Sequence, residues 1–207
     1  MLMRNKITEP LKLEGISVVL DEIQPKHFSY VIKWRNDKDL NRYLNQPYVL
    51  TMENQTKWYE EKYLKDATQG FMVVVDKRTG EPFATMGWTD MNIEKNECIL
   101  GRLILGNPAY NNSPAFLEAF FLLGDYVYNI VDSTFIHVGE ENRKALRLNK
   151  RFGFVPNIGE IHYPHELIVN GDSNRKQIEL YRTKEMYQVV RKMLFEDLQD
   201  VLFNEYK

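Results

Sequence analysis

Residues 114–131, PAFLEAFFLLGDYVYNIV, constrain the fold more than any other stretch of the chain. Ser113 offers an N-cap oxygen and Pro114 suits the first helical position, so a helix starts here. The helix is apolar nearly all round, a pattern that only burial satisfies. CILGRLIL, 98–105, precedes it and STFIHV, 133–138, follows it; both are short apolar runs that read as strands. A strand, a buried helix and a second strand imply a right-handed parallel crossover. Gly124, inside the helix, marks a place of close packing.

The other elements build outward from this unit. ISVVLDEI, 16–23, is a β-branched run that reads as a strand. QPKHFSYVIKWRND, 24–37, reads as a helix with Pro25 in its first turn and Phe28, Val31, Ile32 and Arg35 on one face. A looser stretch covers 38–50. Thr51 then caps a helix that runs to about Asp66. GFMVVVD, 70–76, FATMGWTDM, 83–91, and 98–105 are joined by short turns and predict an antiparallel meander. ENRKALRLNKRFGF, 141–154, is an amphipathic helix that turns Ala145, Leu148 and Phe152 inward and ends at Gly153. GEIHYPHELIV and KQIELYRT read as strands around Asn170–Gly171, a hairpin signal. Residues 184–206 form a last amphipathic helix, with Met186, Val190, Met193, Leu194, Leu198, Val201 and Leu202 recurring at three and four. The order β-α-α-β-β-β-α-β-α-β-β-α predicts an α/β (α+β) fold: a mixed, mostly antiparallel central sheet with helices on both faces. We expect one main domain, 1–188, and a helical extension, 189–207, packed on that domain or on a partner.

Composition excludes several function classes. A net charge of −2 gives no support for a nucleic-acid surface, so no nucleic-acid partner is expected. Cys98 is the only cysteine, which rules out an intrachain disulfide and a CxxC-type metal site. His162 and His165 flank Pro164 and read as loop histidines, so no metal is expected. No apolar run reaches the roughly 18 residues of a membrane span, and MLMRNKITEPLKLEG lacks the apolar core of a signal peptide. The expectation is a cytoplasmic protein with no membrane partner.

Four stretches, in order, resemble the GCN5-related N-acetyltransferase (GNAT) superfamily. They are LEGISVVLDEIQPKHFSYVIKWRND, ILGRLILGNPAYNNSPAFLEAF, IHVGEENRKALRLNKRFGF and ELIVNGDSNRKQIELYRTKEMY. The first looks like the subfamily of ribosomal-protein N-terminal and nucleotide-amino-sugar acetyltransferases. The third keeps the Asn142-x-x-Ala145-x-x-Leu148 and Gly153–Phe154 spacing. The resemblance implies a GNAT-like fold and transfer of an acetyl group from acetyl-CoA to a primary amine. It also implies that Leu103, Ile104 and Leu105 form the edge on which the acetyl and pantetheine groups dock. An unpaired N–H there would polarise the thioester carbonyl. Asn142 would bind the cofactor arm; its other role is the N-cap of the following helix.

Two positions depart from the family pattern. The family's pyrophosphate loop carries glycines where this chain has Pro114 and Phe116. Proline removes a donor and phenylalanine adds bulk, yet the helix N-terminus at Ala115 and Phe116 and the side chains of Asn111, Asn112 and Ser113 remain as donors. Either this loop holds phosphate without glycine, or Ser113 only caps the helix and the asparagines only make the turn. Asn149 stands where many members have a tyrosine that protonates the leaving thiolate; it can donate a hydrogen bond to the sulfur but no proton. His137 lies where some members carry a glutamate base, and imidazole suits proton removal from an ammonium substrate; its other reading is a half-buried histidine satisfied by backbone. Glu140 and Glu141 either attract a cationic amine or are solvated. Arg102 points to the substrate cleft or to solvent. Trp34–Asp37 borders the acceptor site or belongs to the core.

The expected function is therefore acetyl-CoA-dependent N-acetylation of a peptide N-terminus or an amino sugar by direct attack. The alternative is a catalytically inactive GNAT-fold interaction protein, possible as a homodimer or with a protein partner through the C-terminal helix.

Overall fold

The computed structural model describes residues 6–44, 46, 48–159 and 177–205. Among the described residues eight strands form one mixed sheet: β1 (Lys12–Glu14), β2 (Val18–Glu22), β3 (Gly70–Asp76), β4 (Pro82–Asn92), β5 (Glu97–Leu105), β6 (Ser133–Gly139), β7 (Val155–Pro156) and β8 (Gln177–Thr183). Their spatial order is β1-β2-β3-β4-β5-β6-β8-β7. All neighbouring pairs are antiparallel except β5 and β6, the pair that flanks the crossover helix. The helices are α1 (Phe28–Asn36), α2 (Lys38–Asn41), α3 (Met52–Trp58), α4 (Pro114–Tyr128), α5 (Arg143–Arg151) and α6 (Lys184–Glu205). The mixed, mostly antiparallel sheet and the C-terminal helix match the sequence reading. It missed α2 and the two shortest strands, β1 and β7. The predicted strand from 159 and the Asn170–Gly171 turn lie outside the described residues, as do His162 and His165.

Alternation along the strands sorts the core into two layers. Met72 and Val74 of β3 face α4, in a cluster with Met86, Trp88, Ala119 and Leu123. Phe71 and Val73 face the other way, onto Phe28 and Val31 of α1 and onto Tyr59 and Tyr63 beyond α3. α6 packs beside α4 on the first face, with Tyr187, Leu198 and Leu202 buried against Phe121, Ile136 and Leu180. The helix from Lys184 to Glu205 is one continuous element. Among the described residues no helix is long and apolar enough to cross a membrane.

Gly124 is where α4 and α6 approach most closely. A Cβ there would lie 2.6–2.8 Å from the ring and hydroxyl of Tyr187. That ring cannot yield freely, because its hydroxyl donates to Asp125 Oδ1 at 2.6 Å and lies 3.0 Å from the Phe121 carbonyl. Alanine would gain about 1 kcal/mol of helix propensity, but overpacking costs roughly 1–3 kcal/mol. A Gly124→Ala variant should therefore be less stable by up to about 2 kcal/mol. Chemical denaturation should show a lower midpoint at unchanged slope; a higher midpoint would mean that the two helices separate without cost.

Candidate active site

The crossover opens the site. β5 and β6 are paired only over Glu97–Ile99 and Ser133–Phe135. Beyond Ile99 the two strands diverge, while β5 stays paired with β4 as far as Leu105. The cause is a bulge in β5: Gly87↔Gly101 is followed by Thr85↔Ile104, so β5 carries one extra residue. Arg102 sits in the left-handed region, φ +57°, to make the turn. A non-glycine residue there costs on the order of 1 kcal/mol, and the hydroxyl of Thr85 offsets this by donating to the Arg102 carbonyl at 2.7 Å.

Two adjoining cavities fill the wedge. The first, about 250 Å³, is walled by Leu100–Leu103 of β5, Ile136–Gly139 of β6, and Asn142, Ala145 and Asn149 along α5. Leu40, Tyr43 and Leu44 also line it. The second, about 480 Å³, shares Leu103 and Ala145 with the first and extends to Leu105, Asn111, Asn112 and Phe116. Its other wall is Lys144, Arg147, Leu148 and Arg151.

The structure divides the expected site residues between these cavities and the core. Leu103 borders both cavities and Leu105 the second, whereas Ile104 is 5% exposed and lines neither. Ser113 Oγ accepts from the Phe116 N–H at 3.1 Å, and the Phe116 ring packs against Phe83 and Phe120. The Phe116 amide is thus committed to the cap. The Asn111 and Ser113 amides donate to Pro108 and Tyr110 carbonyls, at 3.0 Å each. Of the loop residues, Asn112, at φ +58°, borders the second cavity, whereas Ala115 is buried in the core and lines neither cavity. Asn142 caps α5 through Oδ1, accepting from Ala145 N–H at 3.1 Å, and also lines the first cavity. Asn149 lines that cavity as well. Glu140 and Glu141 are exposed and line neither cavity. Trp34 is core: its ring covers Gly106 so closely that a Cβ there would lie 2.0 Å away.

His137 sits in the wall of the first cavity, directly across the β6–β8 ladder from Glu179. Its Nε2 is 2.7 Å from Glu179 Oε2, and Asn157 Nδ2 donates to Glu179 Oε1 at 2.6 Å. Glu179 is 3% exposed. A buried carboxylate held from both sides fixes the imidazole ring in place.

Sequence reasoning missed three groups. Glu179 was legible in the alternation of QIELY, where Ile178 and Leu180 point to one face and Glu179 to the other. Lys144, Arg147 and Arg151 follow helical spacing, but attention fell on the opposite, apolar face. Arg102 was noted without a direction. Its guanidinium lies 5.1 Å from the Phe71 ring centre and 5.5 Å from that of Trp58, with Nη2 donating to Gln69 Oε1.

Comparison with known proteins agrees with this geometry. The family model described as "Acetyltransferase (GNAT) domain" matches residues 17–155. Among solved structures, a GCN5-related N-acetyltransferase from Brucella melitensis superposes with a TM-score of 0.72 at 23% identity, over 94% of this chain and 86% of that one. Spermidine N-acetyltransferase from Vibrio cholerae, in complex with CoA and spermine, gives 0.68 at 18% identity, over 84% and 99%. A nucleotide-linked sugar GNAT gives 0.68 at 14% identity, over 89% and 97%. At these identities the structural likeness speaks for the fold alone. No curated protein matches the sequence. With the family model spanning more than half of its 207 residues, the chain belongs to the GNAT acetyltransferase family.

Proposed function

We propose that this protein is an N-acetyltransferase that uses acetyl-CoA and a primary amine in one ternary complex. The observation that carries the reading is the continuous cavity pair. A cationic end, a narrow strand edge and a histidine–carboxylate pair lie in the order that the phosphates, the pantetheine and the thioester would need. Acetyl-CoA is the cosubstrate, and its phosphates fit the second cavity. Lys144, Arg147 and Arg151 supply charge there in place of the loop glycines. Asn111 and Asn112 border the same space. Leu103 and Leu105 line the path of the arm, and Asn142 and Asn149 face it from α5.

The chemistry then runs through residues already placed. His137 takes the proton from the ammonium form of the acceptor, directly or through one water. The contact between Nε2 and Glu179 Oε2 holds the ring in position for this step. The neutral amine attacks the thioester carbonyl; a C–N bond forms and the C–S bond breaks through a tetrahedral intermediate. Unpaired β5 backbone N–H groups beyond Ile99 stabilise the oxyanion. The thiolate leaves with a hydrogen bond from Asn149 and takes up a proton, balancing the one lost by nitrogen. An acid is dispensable here because a thiol of pKa about 8.5 is a tolerable leaving group. The acceptor is a small molecule or a peptide, and the expected setting is the cytoplasm.

Thermal unfolding with acetyl-CoA and CoA tests the reading. At 100 times its dissociation constant a ligand stabilises by about 2.7 kcal/mol, or roughly 5–10 °C for a chain this long. No shift at millimolar ligand would mean that the loop only caps α4, and would favour an interaction protein on the same fold.

A further inference from the structure

Arg102 and Arg35 are two enclosed cations on the α1–α3 face of the sheet, and neither has a carboxylate partner among the described residues. Arg102 makes one hydrogen bond, to the neutral Gln69, and its Nε is buried with no partner. Its remaining neighbours are the faces of Trp58 and Phe71. Arg35 Nε donates to Gln46 Oε1 at 2.5 Å, again a neutral amide. Burial, reinforced by the Arg35 charge, pulls Arg102 down to about 10, although Tyr63, Asp66 and Asp90 act in the other direction. Burial also lowers Arg35.

Nearby carboxylates are otherwise engaged. Asp66 accepts from Thr68 and from Gln69 Nε2, so the Gln69 amide stands between it and Arg102. Asp90 is exposed. Glu179, across the cavity, is held by His137 and Asn157. A guanidinium taken out of water without a counter-charge is costly, and an anion bound beside it relieves that cost. Arg102 lines the cavity that contains His137. The left-handed backbone at Arg102 accompanies a side chain laid over Gly87, where a Cβ would lie 3.2 Å from the arginine Cδ.

We infer that the acceptor is an amine carrying an anionic group, carboxylate or phosphate, and that Arg102, supported by Arg35, binds that group while His137 faces the amine. This deepens the acetyltransferase reading and rests on it. The same arrangement disfavours a polyamine, whose second cation would meet two guanidinium groups.

Paired probes test the inference by calorimetry on the CoA-saturated protein. Glucosamine 6-phosphate is compared with glucosamine, and L-alanine with L-alaninamide; spermidine is the cationic control. At least one anionic probe should bind about tenfold or more tighter than its neutral partner, and the pair that discriminates tells phosphate from carboxylate. Arg102→Gln should bring that ratio near one, and Arg102→Lys should retain part of it. If Arg102→Gln does not fold, Arg35→Gln should still reduce the ratio. Equal binding within both pairs, or tightest binding of spermidine, overturns the inference. Acetyl-CoA binding is titrated separately on the same samples. If acetyl-CoA fails to bind while an anionic probe still discriminates in the absence of CoA, the transferase reading falls and the anion site stands. If acetyl-CoA binds and no probe discriminates, the reverse holds.

Discussion

Turnover of the His137→Ala variant at saturating acetyl-CoA is expected to fall by roughly 100-fold or more. The side chain is the titratable group that the structure places in the wall between the diverging strands, with Glu179 at 2.7 Å and Asn157 behind it. Alanine removes the base but leaves the strand edge, the α5 wall and the oxyanion donors, which are backbone. Acetyl-CoA affinity should therefore change little, and the loss should fall on turnover. Glu179→Gln keeps a polar group beside Nε2 but removes the carboxylate that holds the ring; about a tenfold loss of turnover is expected. Unchanged turnover in His137→Ala would falsify the assignment and leave His137 as a satisfied, half-buried histidine.

The sequence revealed the fold more fully than the site, for a physical reason. Burial periodicity is local: the all-round apolar helix at 114–128 and the strands beside it announce a crossover before any contact is known. The divergence of β5 from β6 is not local. It depends on a one-residue excess relative to β4, and nothing in GRLIL shows that Arg102 adopts a left-handed backbone, since that conformation ordinarily selects glycine or asparagine. His137 could be picked from its neighbours in the resemblance, but Glu179 lies 42 residues away and meets it only through β8 register. The loop without glycines left two readings open, because phosphate sites are recognised by backbone donors and Pro114 and Phe116 say nothing of side chains elsewhere. The cations that face this loop across the second cavity lie on α5, and only the fold brings them there.

That compensation leads to the second large effect. Lys144, Arg147 and Arg151 stand at i, i+3 and i+7 along α5, on one exposed face, and all three border the second cavity. No acidic partner is recorded for them among the described residues. Exposed surface lysines and arginines need no explanation singly. On the proposed reading, three on one face, opposite a loop whose Phe116 amide is committed to Ser113, carry the electrostatic share of phosphate binding. The double variant Lys144→Ala, Arg147→Ala should weaken acetyl-CoA binding by roughly 100-fold, as expected for two charge-assisted contacts. Raised ionic strength should weaken the wild type more than the variant, since screening acts on the charges that the variant lacks. Turnover at saturating acetyl-CoA should survive, because neither side chain reaches the His137 cavity. The effect thus separates cleanly from that of His137→Ala: one variant loses affinity and keeps rate, the other keeps affinity and loses rate. Wild-type affinity in the double variant would return the whole burden to Asn111, Asn112 and the α4 N-terminus, and would show that a helix start without glycine suffices to hold the cofactor's phosphates.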